Sequence, residues 1–174
     1  QAAPVTGTIG FGGAGLYVGA TNWYQSTGVD FGTPWAVTTA GTGSFALVPL
    51  LTNPVSFTDF NWGAGTGAVN VPAVLNPAWT FTHAGVTYTL DISTISNILR
   101  GSAANNSISV SGTGTLKVTG YDDTTGVWNF TGGDNGGGLN LSFSSAAVPL
   151  PATIGLLGLG LAAVGVVSRR RVAA

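Results

Sequence analysis

Cysteine, methionine and glutamate are absent from this chain of 174 residues, which also holds a single lysine and a single histidine. Without cysteine, no disulfide framework and no thiolate metal site can form. The absence neither requires nor forbids export; it says only that the fold does not depend on disulfides. Charged residues are 6% of the chain, against roughly a quarter in a typical soluble domain. A soluble helix bundle clothes its outer faces in Glu, Lys and Arg, so that class is excluded. A nucleic-acid binder needs a basic face, yet only Arg100 and Lys117 are basic before residue 169. Disorder is excluded from the other direction, because 44% of the residues are hydrophobic and 10% are aromatic.

What is abundant is glycine (28 residues), threonine (23), serine (13) and asparagine (11). Through residue 147, Thr, Val, Phe, Trp and Tyr alternate with small polar residues, and Gly- or Asn-containing turn signals recur every eight to twelve residues or so. Thr80-Phe81-Thr82-His83 and Val86-Thr87-Tyr88-Thr89-Leu90-Asp91-Ile92 alternate with period two, and Ala84-Gly85 between them is a tight hairpin turn. Ser107-Ile108-Ser109-Val110-Ser111 alternates again. Leu116-Lys117-Val118-Thr119-Gly120-Tyr121 and Val127-Trp128-Asn129-Phe130-Thr131 flank a turn at residues 122–126, and Leu139-Asn140-Leu141-Ser142-Phe143-Ser144 closes the series. Only residues 94–100 have the pattern of a short helical turn. No fixed period marks a repeat fold. The expected architecture is all-β: an antiparallel β-sandwich, jelly-roll-like or Ig-like.

The composition changes at residue 148. Residues 152–167 form a run of 16 without a charge, or 20 counted from Val148. As a helix they would measure about 24 to 30 Å, close to the roughly 30 Å of a hydrocarbon core. Arg169, Arg170 and Arg171 follow and mark the end that stays in the cytoplasm. The expected organisation is therefore an extracytoplasmic domain over residues 1–147 and a single transmembrane helix within residues 148–174. Gly155, Gly158 and Ala162 supply small positions at which that helix would pack closely on another. Gln1-Ala2-Ala3-Pro4 reads like the first residues after a removed leader.

Val148-Pro149-Leu150-Pro151-Ala152, the Gly/Leu-rich apolar span and the terminal Arg cluster together resemble the PEP-CTERM sorting signal, in its VPLPA variant. Leu150 stands where the common form has Glu. The resemblance covers residues 148–171. It implies export with a leader, transient membrane anchoring, and processing near the motif by an exosortase-type transpeptidase. It further implies a Gram-negative source that makes extracellular polysaccharide. Trp79-Thr80-Phe81-Thr82 with Gly85-Val86-Thr87-Tyr88, the Ser109-Val110-Ser111-Gly112-Thr113-Gly114-Thr115 stretch and the segment from Thr119-Gly120-Tyr121 to Trp128-Asn129-Phe130 are similar to the exported domain of many such proteins.

Candidate chemistry is sparse. His83 is the one general base of neutral pH, and a Ser-His-Asp arrangement would need Asp91 or Asp59 to orient it. Asp122 and Asp123 are adjacent, so as a carboxylate pair on an extended strand they would point to opposite faces. A calcium site built from Asp122, Asp123, Asp134 and Asn135 in neighbouring turns is the stronger use of the acids. Of the five tryptophans, Trp79 and Trp128 fall in regular strands and are expected to be core. Trp23, Trp35 and Trp62 lie near Gly-rich turns and are the candidates for an exposed carbohydrate platform.

The leading expectation is a non-enzymatic structural or adhesive protein of the cell surface or extracellular matrix, biofilm-associated, with no cofactor other than a candidate calcium ion and no nucleic-acid partner. A sheet with so few charges has poorly guarded edges, which favours association with its own copies. The alternatives are a carbohydrate-binding module, which needs the exposed aromatic row, and a single-pass subunit of a membrane complex.

Overall fold

A computed structural model describes residues 2–52, 54–134 and 139–148. Among these residues, nine strands form one antiparallel sheet: β1 (Thr8–Val18), β2 (Gly28–Thr39), β3 (Ser56–Phe57), β4 (Phe60–Asn61), β5 (Gly67–His83), β6 (Val86–Ser102), β7 (Asn105–Val118), β8 (Thr124–Asp134) and β9 (Leu139–Ala147). The spatial order is β3-β5-β6-β7-β8-β9-β1-β2-β4. Five strands from β5 to β9 run as a meander, and β9 then pairs with β1, Thr8 standing opposite Ala146. The β-class expectation holds. The two-sheet sandwich is corrected: hydrogen bonding is continuous through all nine strands, and the sheet curls around a single core.

The ends of the sheet are brought together by residues 52–58. Val37 N donates to Thr52 O and Val55 N to Trp35 O, so this segment runs along the edge of β2. Its next residues pair with β5, Ser56 opposite Thr80 and Phe57 opposite Trp79. Phe57 also lies 4.5 Å, centroid to centroid, from Trp35 of β2. The terminal strands β3 and β4 have only two residues each. β3 pairs with only Thr80 and Trp79 of the 17-residue β5, and β4 with only Gly28 and Val29 of β2.

The Ala84-Gly85 turn forms as expected, with both residues at positive φ (48° and 78°) as a tight two-residue hairpin requires. The helical turn at residues 94–100 does not form; β6 runs straight through it. Register shifts between Ile92 and Thr94, and between Ile95 and Asn97, place one extra residue on β6 at each point. The inward positions then recur every third residue, and Ile92, Ile95 and Ile98 are all buried. A bulge adds one residue to a period of two, which makes a bulged strand read like a helix.

The interior is aromatic. Trp79 on β5 contacts Phe11 on β1 at 4.8 Å, and its Nε1 donates to Ser145 Oγ on β9 at 3.2 Å. Phe130 on β8 packs against Trp62, Phe31 and Phe60. Trp79 and Trp128 are buried as expected.

Candidate functional site

Trp23, Trp35 and Trp62 are not a platform. They are 0%, 1% and 4% exposed. Glycine makes their burial feasible: a Cβ on Gly13 would collide with the Trp35 ring, and one on Gly132 with the Trp23 ring. The Trp35 and Trp23 indoles thus fill the volume that a facing glycine leaves empty. Two of the three ring nitrogens are satisfied inside the fold, Trp35 Nε1 by Ala14 O (2.7 Å) and Trp62 Nε1 by Ser26 O (3.0 Å). For Trp23 and Trp35, the glycines that pointed to exposure are the reason the rings can be buried.

Among the described residues, neither Asp91 nor Asp59 is hydrogen-bonded to His83. His83 ends β5, half-buried, opposite Val86 across the hairpin turn. Asp91 instead forms an ion pair with Lys117 Nζ at 2.7 Å, and Asp59 Oδ1 accepts from Phe31 N at 2.7 Å. Both carboxylates therefore serve the sheet.

The acids proposed for calcium are dispersed. Asp122 and Asp123 are exposed in the turn between β7 and β8. That turn is sewn to the N-terminal residues: Asp122 N donates to Ala3 O (2.9 Å), Thr124 Oγ1 to Asp122 O (2.9 Å), and Val5 N to Thr124 Oγ1 (2.8 Å). Asp134 closes the far end of β8, about 33 Å away at ~3.3 Å per strand residue. Among the described residues, no three His, Cys, Asp or Glu side chains gather as a metal would require. Asn135 and the Asp134 side chain lie outside the described residues.

The outer face of the sheet is built of hydroxyls, which the sequence reading did not single out as a feature. Thr94 and Thr113 pair at 2.7 Å, Thr82 and Thr87 at 3.0 Å, and Thr80 and Thr89 at 3.1 Å. The signal was present in the alternating Thr and Ser of β5 to β7. A groove of about 460 Å³ crosses this face over β7 and β8, lined by Ser111, Thr113, Val127 and Asn129 among others, and no residue of its lining is titratable. Near the β6–β7 turn, Arg100 is bound by four main-chain carbonyls, those of Tyr24, Ser26, Gly63 and Gly65. Its surroundings are neutral acceptors, an arrangement that fixes loops.

Two groups make stability depend on alkaline pH. Burial raises the pKa of Tyr88, and Tyr121 adds to the shift. The Tyr88 ring lies parallel to Phe81 at 4.9 Å. The hydrogen bond and charge of Asp91 raise the pKa of Lys117. In both cases the folded chain holds its proton more tightly than the unfolded chain, so stability is fully present below the unfolded values and falls as pH rises past them. The urea midpoint is expected to hold through neutral pH and to drop above the ordinary tyrosine value of 10.0. Tyr88→Phe should make that drop shallower. An equally steep drop in this variant would show that Tyr88 does not contribute.

Residues 147–171 match the family model of the PEP-CTERM protein-sorting motif. No curated protein and no solved structure matches the chain. The chain thus carries a sorting motif that implies export, sorting to the cell surface and handling by an exosortase. Within the motif, Val148 is the last described residue, and its N donates to Thr125 O at 2.9 Å. Pro149, Leu150, Pro151, Ala152, Gly155, Gly158, Ala162, Arg169, Arg170 and Arg171 lie outside the described residues, and so does the expected transmembrane helix. Among the described residues no helix is long and apolar enough to cross a membrane; the helical segment there is the three-residue 3-10 turn Gly43–Phe45.

Proposed function

We propose that this chain is an exported structural or adhesive protein of the cell surface or extracellular matrix, associated with exopolysaccharide. The sorting motif over residues 147–171 carries the reading. On this reading the uncharged residues 152–167 hold the chain in the membrane until an exosortase-type enzyme acts near Val148 to Ala152. Arg169, Arg170 and Arg171 keep the far end cytoplasmic. Gly155, Gly158 and Ala162 admit close packing against the processing enzyme or another helix.

The exported domain is read as non-catalytic. Supporting this, His83 has neither Asp91 nor Asp59 as a partner, and the hydroxyl-lined groove presents no acid or base. A carbohydrate-binding module loses its support with the burial of Trp23, Trp35 and Trp62. What remains is a rigid, nearly uncharged sheet, suited to filling and bridging a hydrated matrix.

The test is the intact mass of the protein recovered separately from membrane and matrix fractions of its native source. The matrix form is expected to lack the residues beyond the motif. A full-length mass in both fractions overturns processing. Unchanged matrix cohesion in cells lacking the chain overturns the structural role.

A further inference from the structure

Three exposed leucines fall within five residues of one another: Leu47 (86% exposed), Leu50 (55%) and Leu51 (72%). They occupy the loop between the 3-10 turn and β3, whose inward residues Phe45, Val48 and Val55 are buried. The loop is thus anchored by one set of apolar side chains and presents another to the outside. Exposed leucines elsewhere, Leu16 and Leu99, stand singly toward the opposite end of the sheet.

Leu51 is held in an uncommon backbone conformation. Its φ is +61°, in the left-handed region. Thr52 N donates to Pro49 O (3.3 Å) and Leu51 N to Val37 O (2.8 Å), which fixes the turn on β2. Glycine or asparagine serves such a position without strain. Neither backbone geometry nor core packing calls for a leucine here. Residues 31–58 around it contain no charged side chain at all.

The position of the loop indicates its partner. Thr42 N donates to Thr8 O and Ser44 N to Thr6 O. On the other side of the same stretch, Ala147 N donates to Gly7 O. The root of the leucine loop and the last residues of β9 therefore grip one short segment of chain. Beyond Val148, the apolar span expected to enter the membrane starts at residue 152. Four residue steps reach at most about 14 Å. With the sorting tail in the membrane, this end of the sheet can lie no farther than about 14 Å from the start of the span.

We infer that the loop bearing Leu47, Leu50 and Leu51 is a second membrane contact, dipping into the headgroup region of the bilayer that holds the tail. The inference rests on the proposed reading of the tail as an anchor. Tethering makes the contact intramolecular in effect, so a small apolar loop suffices where it would not hold a free protein. The contact would orient the sheet with its tail end toward the lipid and keep the motif close to the membrane surface.

The test uses the full chain, whose lack of cysteine makes single-thiol labelling clean. Leu50→Cys and, in the exposed turn between β6 and β7 at the far end, Ala104→Cys are each labelled with an environment-sensitive fluorophore. Each is then mixed with phosphatidylcholine–phosphatidylglycerol vesicles carrying nitroxide lipids. The chain is expected to float with the vesicles. The probe at position 50 should shift to the blue and be quenched at least about twofold more than the probe at position 104, as for an apolar group at the interface. Flotation with both probes equally in water overturns the loop contact and leaves the tail reading intact. A shifted probe at position 50 without nitroxide quenching also overturns it, since another protein surface then covers the loop. Failure to float overturns the anchor reading and the loop contact with it.

Discussion

Replacing Trp79 with alanine is expected to lower the stability of the domain by about 3 to 5 kcal/mol, the range for emptying a large buried aromatic site. Trp79 is 0% exposed. Phe11 lies 4.8 Å from its ring and Phe81 5.9 Å, and neither can move into the space without leaving other aromatic neighbours. The indole nitrogen also spans the interior, from β5 to Ser145 on β9, four strands along the sheet. Ser145 is 2% exposed, so its hydroxyl has no ready access to water once the indole is gone. An unsatisfied buried polar group adds about 1 to 3 kcal/mol of its own. Trp79→Phe keeps most of the volume and loses the hydrogen bond, so it should cost less than half as much as Trp79→Ala. Val127→Ala, on the exposed face, is the control and should change stability by no more than about 0.5 kcal/mol. Urea titration of the full chain in mild detergent checks all three. A Trp79→Ala variant within about 1 kcal/mol of wild type would mean that the aromatic interior is loosely packed.

How far the sequence foretells this structure depends on the range of the interactions. The Ala84-Gly85 hairpin and the strands on either side were legible because turn chemistry and alternation are local. The assignment of Trp79 and Trp128 to the core was legible for the same reason. The closure of the sheet was not, because its decisive pairings join Thr8 to Ala146 and residues 52–58 to both β2 and β5. A sandwich and a curled single sheet share the same alternation and differ only in such distant contacts. Residues 94–100 misled because two bulges turn a period of two into a period of three, which brings Ile92, Ile95 and Ile98 onto one face. Trp23, Trp35 and Trp62 mislead because glycine beside an aromatic is also a turn signal. In the fold, Gly13 and Gly132 are the hollows into which Trp35 and Trp23 fit. The sorting motif was readable because it is a contiguous linear pattern that needs no fold to be recognised.

Arg100→Ala is expected to cost about 2 to 4 kcal/mol, since hydrogen bonds to a charged group are worth about 1.5 to 3 kcal/mol each when shielded and less when open to water. The guanidinium makes four bonds, to Ser26 O (2.7 Å), Gly63 O (2.8 Å), Gly65 O (2.9 Å) and Tyr24 O (3.1 Å). Those carbonyls belong to two separate connections, the β1–β2 turn and the link from β4 to β5. One side chain on β6 therefore ties together loops some 40 residues apart in sequence, an arrangement that limits their independent opening. Removing it leaves Ser26 O with the Trp62 indole alone and the remaining three carbonyls to water. Partial burial lowers the pKa of Arg100, and the four acceptors offset the cost of desolvating the charge. Arg100→Lys should recover less than half of the loss, because an ammonium cannot present a planar fork of donors in two directions. The partners are neutral carbonyls, so the loss on Arg100→Ala should persist nearly unchanged in high salt, where a surface ion pair would be screened. Urea midpoints for wild type, Arg100→Lys and Arg100→Ala at low and high salt decide the matter. A loss that vanishes in salt would show that Arg100 acts through long-range charge, and a loss below about 0.5 kcal/mol would show that water replaces the clamp without penalty.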